Sequence, residues 1–239
     1  MRVFYFCILS VLLTFGSLFL FSSCDETSDT TENNSQEQTD EKQTDDEKKN
    51  NSTDDNSVFS SEEISSLNTA ANVDYLSDDE KQVILLCNLA RYDGSRFRKG
   101  YAEPFLNGKS SDAIKSLFSD LEKTKGVQAL KPLQAFCNSA ASHAEDMGNS
   151  GNTGHNSTDG RSMSDRLWKA NPNAMEIAEN CSYGFSKPIE IVMQLLVDDG
   201  LTPPGHRNTI LSDKYNVIGV AIRQHKTWKY NCVQDFADR

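Results

Sequence analysis

Helical spacing of apolar residues is the clearest pattern in the chain from Leu76 onward. Ser77, followed three residues later by Glu80, forms a capping box in which each side chain accepts from the other residue's backbone amide. The apolar residues that follow recur every three or four positions, which predicts a helix ending near Tyr92. The same spacing predicts further helices over residues 95–105, 112–123, 132–147 (opened by Pro132 in its first turn) and 162–169.

Beyond residue 175 the pattern alternates between strand and helix. Strands are predicted over residues 176–183, 217–223 and 228–236, the last two joined as a hairpin. Between them, Pro188 predicts the first turn of a helix, and a second short helix is predicted around His206. Helices at both ends of a small, mainly antiparallel sheet predict an α+β sandwich. We therefore expect one domain over residues 76–239.

The first 23 residues have the pattern of an export signal. A basic residue precedes an apolar run over residues 3–21, and two serines separate this run from Cys24. The arrangement is typical of a lipoprotein signal peptide, after which the cysteine becomes the acylated N-terminus of the mature protein. Phe21 stands where such signals usually carry leucine. An uncleaved membrane anchor is the alternative, because a run of roughly 20 apolar residues can span a bilayer.

Residues 24–57 are polar and acidic. Residues 25–57 hold twelve acids against three lysines, a net charge of −9 out of the formal −11 of the whole chain. A segment with no aromatic or branched aliphatic residue cannot offset the entropy of ordering, so we expect a disordered tether. The remainder is close to neutral and carries no basic stripe, which excludes a nucleic-acid partner. Residues 58–75 are assigned as an N-terminal extension of the domain.

The cysteines of the exported domain are expected to be oxidised to disulfides. Once Cys7 and Cys24 are assigned to the signal, the domain retains Cys87, Cys137, Cys181 and Cys232. An even number in an exported domain predicts two disulfides, and none of the four has metal-type spacing. Cys181 and Cys232 fall on predicted strands and could pair across the sheet, although three connectivities remain. Buried free thiols are the alternative, because a domain of this size can build its own core.

Histidines and acids recur on short, turn-rich segments in the last third of the chain. They are His155, Glu179, Asp198, Asp199 and His206. Side chains on such segments can converge on a cleft. Neutral imidazoles flanked by carboxylates suit zinc or a similar divalent ion. The same residues could instead move protons, with Glu179 as a general base, or could bond to one another and fasten the fold.

Other polar residues have simpler interpretations. His143 lies among apolar neighbours on a predicted helix, which favours a hydrogen-bonded core histidine. His225 is expected to be solvated at the tip of the hairpin. Arg207 is expected to pair with Asp198 or Asp213.

Several short motifs occur in an order that resembles a known family. They are residues 141–147, Gly154-His155, Asp159-Gly160, Ala178-Glu179-Asn180, Asp199-Gly200, Gly205-His206-Arg207-Asn208 and Ile218-Gly219-Val220. Their order and spacing resemble the bacterial branch of the CAP superfamily, named after cysteine-rich secretory proteins, antigen 5 and pathogenesis-related proteins. The resemblance covers about residues 76–236. It implies an α-β-α sandwich with a central cleft lined by two histidines and two acids.

Position by position, the resemblance implies that His155, Glu179 and His206 are three of the four cleft residues and metal ligands. The second acid is expected at Asp199, with Asp198 as the alternative. Members of the family bind sterols and other lipids, so a lipid, sterol or peptide ligand is implied by analogy.

Together these observations predict a bacterial cell-envelope lipoprotein that faces the periplasm or the outside and is held to the membrane through Cys24. Its domain is expected to be a binding or interaction module rather than an enzyme, with a cleft able to hold a divalent metal such as zinc or a small ligand. The alternative is a metal-assisted or acid-base, peptidase-like hydrolase using His155, Glu179, Asp199 and His206. A structural envelope protein is the second alternative.

Overall fold

The computed structural model describes residues 58–238, so the predicted signal, Cys24 and the tether lie outside the described residues. The helices are α1 (Ser61–Leu67), α2 (Asp78–Tyr92), α3 (Gly94–Phe97), α4 (Glu103–Leu106), α5 (Asp112–Lys123), α6 (Gln134–Ser150), α7 (Met163–Ala170), α8 (Pro188–Val197) and α9 (Gly205–Leu211). A π-helical turn, Arg98–Ala102, separates α3 from α4. The strands are β1 (Lys131–Pro132), β2 (Ile177–Tyr183), β3 (Val217–His225) and β4 (Lys229–Ala237).

These strands form one mixed sheet in the order β1-β3-β4-β2. The β3–β4 hairpin is antiparallel, and β2 runs antiparallel to β4, with Glu179 directly opposite Asp235. The short β1 pairs parallel to the start of β3. β2 is therefore an outer strand of the sheet within the described part of the chain. The observed architecture confirms the predicted α+β class.

Helices cover both faces of the sheet, as an α-β-α sandwich requires. One face packs against α6 and α7, and the other packs against α2, α8 and α9. Gly219 of β3 shows how close the α6 layer lies, since a Cβ there would come within 2.2 Å of the carbonyl carbon of Phe136. Only glycine permits this approach of a helix backbone to the sheet.

Local signals predicted several elements well. Ser77 and Glu80 form the predicted capping box at the start of α2, and α5 spans the predicted residues. The prediction that Pro132 opens the long helix is wrong, because Pro132 pairs with Ile218 in β1 and α6 begins at Gln134. Proline is tolerated in this edge strand because the ladder hydrogen bonds are donated by its neighbours, Lys131 and Leu133.

Residues 58–75 pack onto the same core as the domain. Ser60 and Glu63 form a second capping box at the start of α1. The guanidinium of Arg96 binds both carboxylate oxygens of Glu63, at 2.7 and 2.6 Å, and lies over the ring of the fully buried Phe59. The segment that the sequence set apart as an extension is thus part of the folded unit.

The four described cysteines are buried free thiols, so the predicted disulfides are not present. The register of the sheet gives the reason for the Cys181 and Cys232 pair. Cys181 lies opposite Val233, whereas Cys232 lies opposite Ser182. Side chains alternate between faces along a strand, so Cys181 points to the α6 layer and Cys232 to the α2 layer. The sheet itself separates the two sulfur atoms.

Within residues 58–238, no helix is both long enough and apolar enough to cross a membrane.

Candidate functional site

His155 and Glu179 form a buried pair between the loop after α6 and the middle of β2. Nδ1 of His155 lies 2.9 Å from Oε1 of Glu179. The loop is held through both backbone polar groups of Gly154, because its amide donates to the Tyr183 hydroxyl and its carbonyl lies 2.9 Å from Nε2 of His143. The structure therefore brings together two of the predicted site residues.

Arg166 on α7 joins this pair as a third residue, although no sequence motif pointed to it. Its Nη2 lies 2.8 Å from Oε2 of Glu179 and donates to the carbonyl of His155 at 3.0 Å. Burial acts most strongly to raise the pKa of Glu179. The hydrogen bond with His155 and the charge of Arg166 together outweigh it, so this pKa lies below its usual range. Glu179 is accordingly a buried carboxylate at neutral pH.

A second buried acid, Asp235 of β4, faces Glu179 across the strands. It was also missed, because only the register of β2 against β4 brings the two together. Burial, followed by the nearby charge of Glu179, raises the pKa of Asp235 well above its usual value. Two carboxyl groups in one buried site cannot both ionise readily, so Asp235 keeps its proton while Glu179 is charged.

His206 and Asp198 form the second pair, at the junction of α8 and α9. Asp198 occupies the C-cap of α8 with a left-handed φ of 53°. Its Oδ1 lies 2.7 Å from Nδ1 of His206, and its Oδ2 accepts from the backbone amides of His206 and Arg207 at 2.8 and 3.4 Å. Asp199, which the sequence analysis preferred, is exposed, so the contact belongs to the alternative, Asp198.

The two pairs lie on either side of β2. Glu179 and Cys181 face the α6 layer, while the intervening Asn180 donates to the carbonyl of His206 at 3.2 Å. Ser182, the next residue on that side, donates to the side chain of Gln194 on α8. The four predicted residues therefore flank an outer strand as two imidazole–carboxylate pairs.

Each histidine is oriented by its own carboxylate in the way found for metal-binding histidines, whereas the group of ligand atoms that converges among the described residues does not include His155 or His206. In both pairs a carboxylate faces Nδ1, which favours the tautomer with the proton on Nδ1 and the lone pair on Nε2. Carboxylates in this position orient metal-binding histidines and raise their basicity. Glu179 and Asp198 are thus placed to orient the histidine rings through hydrogen bonds to Nδ1. The sequence had suggested instead that the acids are metal ligands.

A further group of donor atoms was not expected from the sequence. His143, Glu179 and Cys181 each offer a ligand atom within 4.8 Å of the others, and all three are buried. Burial raises the pKa of the Cys181 thiol well above its usual value, with a further contribution from Glu179. Burial likewise lowers the pKa of His143, which keeps that imidazole neutral. His143 is a core histidine as predicted, although it borders the site.

Two other predictions are wrong. His225 is buried, not solvated: Nε2 lies 2.8 Å from the carbonyl of Asn152, and Nδ1 accepts from the amides of Thr227 and Trp228. The guanidinium of Arg207 pairs with Asp120 at 2.9 Å, and only its backbone amide contacts Asp198. In both cases the partner comes from a distant segment.

Comparison with known proteins agrees with this architecture. The sequence model of the cysteine-rich secretory protein family, CAP, matches residues 86–236. No curated protein matches the chain. An extracellular protein containing an SCP domain from Bacillus anthracis str. Ames is similar at 21% identity, over 47% of this chain and 35% of that chain, with a TM-score of 0.41. An outer surface protein from Borrelia burgdorferi is similar at 18% identity, over 55% of this chain and 96% of that chain, with a TM-score of 0.42.

The chain spans about a third of the length of the Bacillus anthracis protein. The family match itself covers well over half of the chain, and it includes both imidazole–carboxylate pairs. The chain therefore belongs to the CAP family.

Proposed function

We propose that this protein is an exported lipoprotein whose CAP domain acts as a binding module in the bacterial cell envelope. His155 and His206 form the binding site for a divalent metal such as zinc, or for a small polar ligand. The observation that carries the proposal is the pair of contacts between Nδ1 and a carboxylate, at 2.9 Å for Glu179 and 2.7 Å for Asp198. Export and anchoring follow from the pattern that ends at Cys24.

In a metal-bound form, Nε2 of each histidine would be the ligand atom, and the ion would supply a Lewis acid. Glu179 and Asp198 keep the two rings oriented, and Arg166 balances the charge of Glu179. A lipid, sterol or peptide held near the same edge of β2 remains a proposal from the family resemblance.

An acid-base hydrolase is less well supported by the same residues. A general base works best with a pKa near the working pH, whereas the pKa of Glu179 is lowered. The neighbouring thiol of Cys181 has a raised pKa, so it is not an activated nucleophile.

Calorimetric titration of the full chain with zinc tests the metal site. We expect binding at neutral pH that is lost in His155→Ala and in His206→Ala, because each variant removes an imidazole ligand. Asp198→Asn keeps the shape of the side chain and removes its charge, so it should weaken binding about 10- to 100-fold.

The structural histidine His225 provides the control, because its ring is already engaged by backbone groups at the hairpin. His225→Gln should lower thermal stability and leave zinc affinity unchanged. No zinc uptake by the wild-type protein, together with destabilisation in all the histidine variants, would instead support a purely structural role.

Anchoring is tested separately by labelled fatty acid in cells that make the protein. Wild-type protein should take up the label and partition into detergent, and Cys24→Ser should do neither. A mature N-terminus at another residue would show that the protein is not a lipoprotein acylated at Cys24.

A further inference from the structure

A pocket of about 330 Å³ lies between α6 and α7. It adjoins the His155–Glu179 pair through Arg166, which belongs to both, whereas neither His155 nor His206 lines it. Its lining residues are Ala135, Asn138, Ser139, Ser142, Arg161, Arg166, Lys169 and Ala170. The volume is at the small end of ligand sites, which span about 300–1,000 Å³.

The lining is cationic. Arg161, Arg166 and Lys169 contribute three positive charges, and no aspartate or glutamate lines the pocket. Arg161 pairs with Asp159 at the surface, and Arg166 pairs with Glu179 inside. Lys169 makes no ion pair with any residue of the described chain. Serine and asparagine side chains supply the remaining polar groups, so the lining is suited to an anion.

The side chain of Arg166 gives independent support for a ligand at this pocket. The residue is only 4% exposed, yet its Nε and Nη1 donors have no hydrogen-bond partner among the described residues. Ser139 also lines the pocket, and its side chain is within hydrogen-bonding reach of the buried Asp235 carboxyl. Buried donors without acceptors each cost about 1–3 kcal/mol, and they are uncommon outside sites that receive a ligand or ordered water.

We propose that this pocket binds the anionic group of a small molecule, a phosphate or a carboxylate. Arg166 offers a planar set of donors of the kind that recognises these groups, and Ser139 adds a hydroxyl beside it. Lys169 at the rim contributes long-range attraction. The site does not depend on a metal at His155 and His206.

Thermal melts of the full chain in detergent with a chelator test the proposal, because the chelator removes any contribution from the metal site. Inorganic phosphate, glycerol 3-phosphate and N-acetylglycine serve as probes for free phosphate, a lipid-type phosphate ester and a peptide-type carboxylate. Sodium chloride keeps the ionic strength constant. We expect Tm to rise with the logarithm of probe concentration for at least one probe, since a ligand at free concentration c that binds only the folded state stabilises it by RT ln(1 + c/Kd).

Two variants locate the effect. Lys169→Gln and Ser139→Ala should each weaken the apparent affinity about two- to fivefold, and the double variant should weaken it further. Lys187→Gln is the matched control, because Lys187 is an exposed lysine at the start of α8, outside the pocket. It should leave the affinity unchanged.

Trp168 provides a local reporter. In a Trp228→Phe background it is the remaining tryptophan of the chain, and it is adjacent to Lys169. Its fluorescence should saturate with the probe, and the Kd from this titration should match the Kd obtained from the Tm series. Equal responses in Lys169→Gln and Lys187→Gln, or no saturable response to any of the three probes, would overturn the proposal and leave ordered water as the partner of Arg166. If one pocket variant does not fold, the other decides the outcome.

Discussion

Three buried arginines serve the two faces of the sheet in different ways. Arg91 on α2 and Arg207 on α9 belong to the layer that packs on one face, and Arg166 on α7 belongs to the other. All three side chains are at least 96% buried. They differ in how completely their donors are satisfied.

The guanidinium of Arg91 makes five hydrogen bonds, all to backbone carbonyls. The acceptors are Gln128, Ile210, Ser212 and Tyr215. Arg207 also makes five, and its acceptors are Leu196, Ser116, Asp120, Ala113 and Val197. Each of these cations joins segments that are far apart in the chain, which is a structural role.

Arg166, by contrast, uses Nη2 for Glu179 and the carbonyl of His155 and leaves Nε and Nη1 without partners. The buried acid Asp235 lies in the same cluster, close enough to act on the charge of Arg166. The two arginines of the first layer are thus saturated, whereas Arg166 retains two donors that folding does not satisfy. This contrast favours a binding role for Arg166 over a purely structural one.

The largest effect is expected from Arg91→Met. Removing the guanidinium leaves four backbone carbonyls buried without donors, at about 1–3 kcal/mol each, so the free energy of unfolding should fall by more than about 4 kcal/mol. Urea unfolding measures the change. Arg98→Met, which removes exposed ion pairs with Glu103 and Glu122, should cost no more than about 1 kcal/mol. Similar costs for the two variants would contradict the structural role of Arg91.

Arg166→Met should cost about 3 kcal/mol, because Glu179 then keeps a buried charge without its ion partner. Adding Glu179→Gln removes that charge, so the double variant should recover much of the loss. Urea unfolding of the single and double variants gives the coupling energy. Additive losses would show that Arg166 does not serve Glu179.

Asp235→Asn should change the pH dependence of stability. The pKa of Asp235 is higher in the folded than in the unfolded protein. Its contribution to stability is therefore full below the unfolded pKa of about 3.9 and is lost as pH rises through the folded pKa. Asparagine cannot ionise, so the variant should lose less stability than wild type as pH rises above about 4. If the stabilities of wild type and Asp235→Asn changed in parallel with pH, the pKa of Asp235 would not be raised in the folded protein.

The smallest effect on stability is expected when the protein is treated with a thiol reductant. Because Cys181 and Cys232 point to opposite faces of the sheet, dithiothreitol should leave the Tm of the wild-type protein unchanged. Mass analysis of unreduced peptides should find thiols at all four domain cysteines. A bridge between Cys181 and Cys232 would require a register different from that of β2 and β4.

Short-range signals account for the elements that could be predicted. The capping box at Ser77, the apolar face of α5 and the β3–β4 hairpin each depend on residues within a few positions of one another. The order of the motifs around His155, Glu179 and His206 also sufficed for the family, and these three residues take part in the two imidazole–carboxylate pairs.

Long-range pairing decided the rest. Asp198 rather than Asp199 meets His206 because the left-handed turn at the end of α8 orients one side chain inward and leaves the other in solvent. Asp235 faces Glu179 through a strand register spanning more than fifty residues, and Arg166 reaches the pair from a separate helix.

The sequence by itself thus determined the elements, the class of fold and the residues with the chemistry of a site. Only the tertiary structure decided which of those residues are partners and which polar groups remain unsatisfied. Local periodicity records which side of an element is buried, but the partners of a buried charge are set by how separate elements pack.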